Sequence, residues 1–175
     1  MLAEHPVSGV VHTAGVSNMK ALADTGLAEF ETVLSAKVAG ALNLDALVGD
    51  VDFFVLFGSV AGTIGSGSQA SYSAANAYLD AIAETRAARG LAATSVAWGP
   101  WAEAGMATDD AMTANLLRQG LRFIAPAAGI AELRNAVVRG DTTVTVADVD
   151  WTRYAPVFTA SRPSPLLAAL PEAAA

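Results

Sequence analysis

The hydrophobic and polar positions of this chain change period along its length, which predicts strands and helices in alternation. Segments rich in apolar or β-branched residues, typical of buried strands, occupy residues 7–12, 51–57, 94–98 and 142–147. Apolar residues at helical spacing, or alanines that favour a helix, occupy residues 27–48, 71–89 and about 126–138. Gly90 follows the second of these helical segments, at a position where helices commonly end.

Strands that alternate with helices predict an α/β fold with a parallel, doubly wound sheet. Ligands of such sheets bind outside the carboxyl ends of the strands, and Ser59 and Pro100 both follow predicted strands there. Residues 102–121 are polar and interrupted. Residues 161–175 contain three prolines and are predicted to form an exit linker, which leaves residues 1–160 as the folded portion.

Composition narrows the classes of function. Of the 175 residues, 53% are hydrophobic and only 15% are charged, so we expect one domain with some apolar surface that meets a partner. A formal charge of −7 argues against a nucleic-acid partner, which would need a basic patch. The chain has no cysteine and no histidine–carboxylate cluster at ligand spacing, so no metal site is expected. No apolar run is long enough for a membrane span and the N-terminus is too polar for a signal peptide, so we expect a cytoplasmic protein.

The pattern with the most chemical content is formed by Ser59, Tyr72 and Asn76. Ser59 follows a predicted strand, and Tyr72 and Asn76 are four residues apart on a predicted helix, so they share one face of it. Most residues between Ser59 and Tyr72 are small, and several are glycines that allow the backbone to approach a ligand. A hydroxyl, a phenol and an amide in this arrangement predict a site for proton delivery.

A phenol has a pKa of about 10 and needs a cation beside it to work near neutral pH. The chain has two lysines, and Lys37 lies in the helical segment that precedes the strand before Ser59. An ammonium within about 4–6 Å is expected to lower the pKa of Tyr72 by one or two units. The alternative is that Tyr72, Asn76 and Lys37 are ordinary helix surface residues. His12, which follows a run of valines, is expected to be a buried structural residue or to lie at the edge of a cofactor, and not to act as a base.

Several segments together resemble one protein family. The segments are 10–15, 36–41, 57–79, 96–101, 149–151 and 162–167, and the resemblance extends over nearly the whole chain. They resemble the ketoreductase domain of modular type I polyketide synthases, a branch of the short-chain dehydrogenase/reductase superfamily. The resemblance implies the C-terminal catalytic half of a Rossmann-like fold, with residues 102–121 as a lid over the substrate.

The resemblance also implies the chemistry. Tyr72 is expected to be the general acid, Ser59 to hold the substrate carbonyl, and Lys37 and Asn76 to complete the site. The Lys and the Asn occupy each other's places relative to ordinary short-chain dehydrogenases, which is the polyketide pattern. The reaction implied is NADPH-dependent reduction of a β-ketoacyl thioester carried by an acyl carrier protein.

Contacts to the cofactor and the substrate follow from the same resemblance. The residues expected to contact NADPH are Thr13, Ala14, Gly15, Lys37, Tyr72, Gly99 and Pro100. In this set the residues 13–15 face the adenosine side and the pair 99–100 faces the nicotinamide. The residues expected to face the substrate are Ile64, Gln69 and Met106.

Two departures from the family pattern stand out. No glycine-rich phosphate-binding turn is found in the required strand–helix context, so the N-terminal nucleotide-binding half is expected from the same polypeptide or another chain. Other polyketide synthase domains are further expected partners.

Residues 17–19 are Ser-Asn-Met where D-type members carry Leu-Asp-Asp, and Ile64 stands where L-type members carry Trp. The remaining motifs favour an L-hydroxyl product, and Gln69 in place of His favours a substrate that is not epimerised.

Three functional hypotheses follow from these observations. The first is an active reductase half that works when it is joined to its nucleotide-binding half. The second is a relative that is redox-inactive or that epimerises the α-carbon, which the missing phosphate-binding turn permits. The third is a non-enzymatic structural fragment.

Overall fold

The structure is a computed structural model that describes residues 4–103 and 110–173, and these residues form two compact units. The first unit comprises the described residues up to Trp98 together with 130–146. The second comprises the described residues within 99–129 and from 147 onward. Ser59, Tyr72, Lys37 and Asn76 all belong to the first unit.

The strands are short, as expected for a small α/β domain. In chain order they are β1 (Gly9–His12), β2 (Phe53–Ser59), β3 (Thr94–Trp98), β4 (Leu121–Arg122), β5 (Thr143–Val146) and β6 (Asp148–Val149). In the first unit, β1, β2, β3 and β5 form a sheet in that order, and every neighbouring pair is parallel. The predicted α/β fold with a parallel sheet is therefore confirmed.

The helices lie between these strands. They are α1 (Leu27–Leu34), α2 (Gly40–Val48), α3 (Val60–Ile64), α4 (Ala70–Ala88), α5 (Asp110–Arg118), α6 (Pro126–Arg139), α7 (Trp151–Thr159) and α8 (Pro165–Ala168). Between α1 and α2 the chain stays helical but takes the wider π form over Ser35–Ala39. Two short 3₁₀ turns, Leu22–Asp24 and Pro171–Ala173, complete the regular structure.

The main core of the first unit lies where α2 and α4 pack against β1 and β2. Its buried members are Val10, Ala41, Val51, Phe54, Leu56, Leu79, Ile82 and Ala83. A second buried cluster joins Val33, Val38, Ala61, Tyr72 and Ala75, which come from the helices around the candidate site. Burial of each large apolar side chain contributes about 1.5–3 kcal/mol, so these clusters hold the helices in fixed positions on the sheet.

The predicted elements differ from the observed ones mainly at their ends. β1 begins at Gly9 and not at residue 7, and β2 begins at Phe53 and extends two residues past residue 57 to Ser59. β3 has the predicted bounds, and all five of its residues are buried. The predicted helix over 27–48 is interrupted by the π segment, and the predicted helix over 71–89 is α4. Gly90 ends it with a φ of 76°, a conformation that favours glycine.

The second unit contains the regions predicted as a lid and as an exit linker. An antiparallel pair of strands, β4 and β6, is accompanied by α5, α7 and α8. Helix α5 occupies much of the predicted lid, while residues 104–109 lie outside the described residues. The predicted linker includes α8, in which Leu167 is buried, so part of this tail is packed and helical. The boundary at residue 160 stays a prediction.

Helix length bears on the question of a membrane span. Within residues 4–103 and 110–173, no helix combines the length and the apolar character that crossing a membrane requires.

Candidate active site

Ser59 lies at the point where β2 ends and α3 begins. It is the last residue of β2, paired with Trp98 of β3, and its backbone is extended. Its hydroxyl accepts a hydrogen bond from the main-chain N–H of Ala61 at 3.2 Å, so Ser59 is the N-cap of α3. This cap fixes the hydroxyl at the carboxyl edge of the sheet, where the sequence predicts it.

Tyr72 and Asn76 lie one turn apart near the start of α4. Both are buried, with 8% and 2% of their surfaces exposed. The Asn76 amide nitrogen donates to the main-chain oxygen of Tyr72 at 2.7 Å, whereas Oδ1 of Asn76 is buried and has no hydrogen-bond partner among the described residues. A buried amide oxygen without a partner costs free energy, so it marks a place where a ligand or water would be stabilising.

Helices α3 and α4 approach each other closely at Gly62. A Cβ added at Gly62 would lie 2.8 Å from the main-chain nitrogen of Ala77 and 3.0 Å from Cβ of Asn76. Only glycine therefore allows this separation of the two helices. The contact brings the segment capped by Ser59 against the turn that carries Asn76.

Lys37 lies in the middle of the π segment, and only 3% of its surface is exposed. Its ammonium nitrogen donates to the main-chain oxygen of Phe57 in β2 at 3.0 Å. The same nitrogen lies 6.0 Å from the ring centre of Tyr72. The structure thus brings Ser59, Tyr72, Lys37 and Asn76 together, and the alternative that they are surface residues does not hold for the three that are buried.

Burial determines how the two titrating side chains behave. Burial lowers the pKa of Lys37 from 10.5 to about 8, so the amine can exchange a proton near neutral pH. Burial also raises the pKa of Tyr72, and the hydrogen-bonding side chains of Ser59 and Asn76 oppose that rise only in part. The expectation that the pKa of Tyr72 is lowered is therefore wrong for this structure, because loss of hydration outweighs these hydrogen bonds and the Lys37 ammonium is not among the causes of the shift. A phenol with a raised pKa stays protonated at neutral pH and can act as a proton donor.

The residues expected to contact a cofactor follow β1. Thr13 and Ala14 are exposed, while Gly15 packs on the end of the Lys37 side chain. A Cβ added at Gly15 would lie 2.8 Å from Cε and 3.0 Å from Nζ of Lys37. A larger residue at position 15 would push against the end of the Lys37 side chain, and glycine leaves the loop backbone beside the ammonium group.

Two of the three residues expected to face the substrate are described in the first unit. Ile64 is the last residue of α3 and is half-buried. Gln69 directly precedes α4 and is half-buried, and its side-chain oxygen accepts a hydrogen bond from Ser66 at 2.6 Å. Met106 lies outside the described residues, as does the rest of the 105–107 segment.

The part of the chain that carries this geometry matches a known protein family. The KR domain family matches residues 2–103, which is more than half of the chain. This chain belongs to the KR domain family. The four residues of the candidate site all lie within the matched range.

The KR chain is similar to large polyketide synthases. It is 56% identical over 172 residues to polyketide synthase GfsA of Streptomyces halstedii, a match that covers 97% of this chain and 2% of that protein. It is 55% identical over 162 residues to erythronolide synthase EryA3 of Saccharopolyspora erythraea, covering 93% of this chain and 5% of that protein. The chain therefore spans a very small part of the length of these polyketide synthases.

Solved ketoreductases have the same fold. An A-type ketoreductase from a modular polyketide synthase is 44% identical and superposes with a TM-score of 0.94. The match covers 98% of this chain and 37% of that chain. The chain thus corresponds to part of a ketoreductase domain, as the missing glycine-rich turn indicates.

The second unit of the KR chain contains Gly99 and Pro100, the remaining residues expected to contact the cofactor. A Cβ added at Gly99 would lie 3.2 Å from Cα of Ala147, so the turn packs closely on the start of the segment that follows β5. The main-chain oxygen of Pro100 accepts a hydrogen bond from Ile124 at 2.8 Å. Their contact with a cofactor stays a prediction.

Sequence reasoning missed a link between the loop after β1 and the start of α4. The Ser71 hydroxyl donates to the side-chain oxygen of Asn18 at 2.8 Å, and Ser71 is buried. The main-chain N–H of Lys20 donates to the oxygen of Ser68 at 2.7 Å. Asn18 belongs to residues 17–19, which in the sequence stand out only as the place of the Leu-Asp-Asp motif. Nothing in the sequence indicated that its side chain binds Ser71, the residue before Tyr72.

Proposed function

We propose that this chain forms the catalytic part of a ketoreductase domain that reduces a β-ketoacyl thioester, held by an acyl carrier protein, to a β-hydroxyacyl thioester with NADPH. The observation that carries the proposal is the convergence of Ser59, Tyr72, Lys37 and Asn76 at the carboxyl edge of a parallel sheet. A hydroxyl, a protonated phenol, an amine with a lowered pKa and an unpaired amide oxygen are suited to reduction of a ketone.

The residues of the chain act on the carbonyl oxygen. Bound NADPH supplies the hydride that is added to the β-carbon. Ser59 donates a hydrogen bond to the substrate oxygen and orients it, and Tyr72 transfers its phenolic proton to that oxygen as negative charge develops there. The raised pKa of Tyr72 ensures that the proton is present at neutral pH. Proton donation of this kind is typically worth about 10²- to 10⁴-fold in rate.

Lys37 and Asn76 then have supporting roles. With a pKa of about 8, Lys37 can be protonated when the phenolate forms and can help return a proton to it. Asn76 offers its unpaired Oδ1 to a water or a ribose hydroxyl, because that atom is buried without a partner. Together the two residues are proposed to orient the ribose and a proton-relay water.

The residues present fit a nicotinamide cofactor. Gly15 leaves no side chain over the Lys37 ammonium, so the loop 13–15 presents backbone groups and a cation side by side. These groups, together with Oδ1 of Asn76, match the hydroxyls of a ribose. We propose that Thr13, Ala14 and Gly15 contact the adenosine side and that Gly99 and Pro100 contact the nicotinamide.

The proposed partners are supported by the position of β1 at the edge of the sheet and by the similarity to polyketide synthases. β1 lies at one end of the four-stranded sheet, and Val11 on this strand is 49% exposed, which is unusual for a parallel sheet that is normally covered on both faces. We propose that the nucleotide-binding half of the ketoreductase covers this edge. An acyl carrier protein and the other domains of a polyketide synthase are the further proposed partners.

The product is proposed to carry the L-hydroxyl, without a preference for epimerised substrates. Ile64, Gln69 and Met106 are proposed to face the acyl chain. No observation favours the redox-inactive, epimerising or purely structural alternatives, and each of them corresponds to a distinct result of the test below.

The test joins this chain to the nucleotide-binding half of an A-type ketoreductase by coexpression or fusion. The joined protein is titrated with NADPH by fluorescence and then assayed with a β-ketoacyl N-acetylcysteamine thioester, with analysis of product chirality. We expect NADPH binding and a β-hydroxy product. Binding without alcohol would indicate a redox-inactive domain, and deuterium exchange at the α-carbon would then identify epimerisation. Absence of binding in a correctly folded joined protein would contradict the proposal.

A further inference from the structure

His12 is a buried polar residue that the mechanism above does not use. It is the last residue of β1 and 6% of its surface is exposed. Its Nε2 lies 2.9 Å from the main-chain oxygen of Lys37, in a buried hydrogen bond. A carbonyl oxygen can only accept, so Nε2 carries the proton in this contact and the ring is the donor.

The carbonyl that His12 binds belongs to the π segment. In a π-helical turn the main-chain hydrogen bonds join residues five apart, one residue further than in an α-helix. The Lys37 oxygen also accepts from the N–H of Gly40, the residue at which α2 begins. His12 therefore adds a side-chain donor at the centre of the turn, on the residue whose side chain enters the candidate site.

Gly40 makes room for the His12 ring. A Cβ added at Gly40 would lie 3.1 Å from Cε1 and 3.6 Å from Nε2 of His12. The backbone of Gly40 has ordinary helical angles, with φ of −58° and ψ of −49°, so glycine is not required there for its conformation. The space that glycine leaves is instead filled by the imidazole.

Lys37 is held at both ends by residues of β1, β2 and the loop after β1. His12 binds its carbonyl, Phe57 accepts from its ammonium group, and Gly15 packs against its Cε and Nζ. The side chain has four rotatable bonds, and fixing the backbone of its own residue limits where the ammonium can reach. A displacement of about 1 Å at a reacting group can cost about 100-fold in rate, so the backbone anchor affects function.

We propose that His12 is a positioning residue that holds the π turn through its Nε2–H and thereby sets the location of the Lys37 ammonium beside Tyr72. The proposal rests on the proposed function only for its effect on reduction. The placement of Lys37 itself can be measured on this chain without cofactor or substrate.

Two variants separate the hydrogen bond from the bulk of the ring. The amide nitrogen of Gln lies as many bonds from Cβ as Nε2 of His does, whereas that of Asn is one bond shorter. His12→Gln is therefore expected to keep the donor and His12→Asn to lose it. The chain has a second histidine, His5, which is exposed, and His5→Asn is the matched control.

The first readout is the titration of Lys37 by NMR. The chain contains only Lys20 and Lys37, so labelling with ¹³C-lysine gives two Cε signals, which Lys20→Arg assigns. We expect the pKa of Lys37 to be about 8 in the parent, in His12→Gln and in His5→Asn. In His12→Asn we expect its pKa to rise by about one unit toward the ordinary value, because a loosened ammonium regains water.

The second readout is activity in the joined protein. We expect kcat to fall about 10- to 100-fold in His12→Asn with little change in KM, and His12→Gln to recover most of this loss. Gly40→Ala tests the same contact from the other side, since its methyl carbon would lie 3.1 Å from Cε1 of His12 and the ring must give way by a few tenths of an ångström. Gly40→Ala should lower kcat in the parent and should have no further effect on kcat in the His12→Asn background. Such non-additivity is expected when two substitutions disturb the same contact.

The outcomes divide clearly. If His12→Asn does not fold, Gly40→Ala still presses on the His12 ring, and the Lys37 titration in that variant decides the question. An unchanged Lys37 titration in folded His12→Asn and in Gly40→Ala would overturn the proposal. A parent protein that is inactive while Lys37 responds as expected would contradict the proposed function and leave the positioning role supported.

Discussion

The ammonium nitrogen of Lys37 donates a hydrogen bond to the main-chain oxygen of Phe57 at 3.0 Å and lies 6.0 Å from the ring centre of Tyr72. The one hydrogen bond that the ammonium donates to Phe57 does not replace the hydration that it loses on burial, and this is why the pKa of Lys37 falls to about 8. The contact also ties the π segment to β2, two residues before Ser59. The cation and the hydroxyl of the site are thus held by the same strand.

Stability should increase as the pH rises through the range in which Lys37 loses its proton. The folded-state pKa of about 8 is below the unfolded value of 10.5, so the unfolded chain binds more protons between these values. The penalty for burying the cation is therefore complete below pH 8 and is relieved above it. For these two values the expected gain between pH 7 and 9 is about 1 kcal/mol in the free energy of unfolding.

Urea unfolding at pH 7, 8 and 9 measures this gain, with Lys37→Met as the comparison. The variant has no ammonium to bury, so its stability should change less with pH over the same range. Lys20→Met is the matched control, because Lys20 is on the surface in an ion pair with Glu29. Equal pH slopes for the parent and Lys37→Met would show that Lys37 titrates in its ordinary range.

Tyr72→Phe should remove most of the reduction and leave the fold intact. The ring stays in place among Val33, Val38, Ala61 and Ala75, so the packing of this cluster is retained. Loss of the phenolic proton should lower kcat by about 10²- to 10⁴-fold. The measurement is ketone reduction by the joined protein, together with NADPH affinity, which should change little. Tyr78→Phe, on the exposed side of α4, is the control; a similar loss in both variants would argue against a role for Tyr72 in proton transfer.

Much of the sheet could be predicted because its two central strands, β2 and β3, are mostly buried and rich in apolar residues. All five residues of β3, from Thr94 to Trp98, are buried. Val7 continues the pattern of β1 in the sequence but lies outside the strand, with 41% of its surface exposed. Helix α7 had no clear signal, because Pro156 lies inside it and proline ordinarily ends a helix.

The spacing of the site residues was informative for a local reason, and the rest of the site depends on contacts that are distant in sequence. Tyr72 and Asn76 share a helix face whatever surrounds them. The carbonyl of Lys37, in the π segment, is bound instead by His12, which is 25 residues away in the sequence. The fall in the pKa of Lys37 and the rise in that of Tyr72 both result from burial, which a sequence does not show.

Gly62→Ala should disturb both stability and the site. The new methyl group would meet the main-chain nitrogen of Ala77 at 2.8 Å and Cβ of Asn76 at 3.0 Å, so α3 and α4 must separate. Overpacking of this kind typically costs about 1–3 kcal/mol. Gly67→Ala is the matched control, since a Cβ there meets nothing within 4 Å. Urea unfolding of both variants checks the prediction; a Gly62→Ala chain as stable as Gly67→Ala would show that the two helices do not meet as described.

Arg86 should be the most important single charge for the stability of the first unit. It is fully buried in α4, where it pairs with Asp45 of α2 and donates to the main-chain oxygens of Gly49 at 2.6 Å and Ala92 at 3.0 Å. Its guanidinium also lies 4.2 Å from the ring centre of Phe54 in β2. These contacts join α2, α4 and β2 near the C-terminal end of α4.

Arg86→Met keeps the length of the side chain and removes all of its donors. Two main-chain oxygens lose their side-chain partner and Asp45 keeps only Arg89, so the expected loss is about 3 kcal/mol in the free energy of unfolding. Arg89→Met removes the more exposed partner of the same carboxylate and should cost less than about 1 kcal/mol. Denaturant unfolding of the two variants makes the comparison. If they are equally destabilised, the buried contacts of Arg86 contribute no more than a surface ion pair, and the three elements are held together by the apolar core alone.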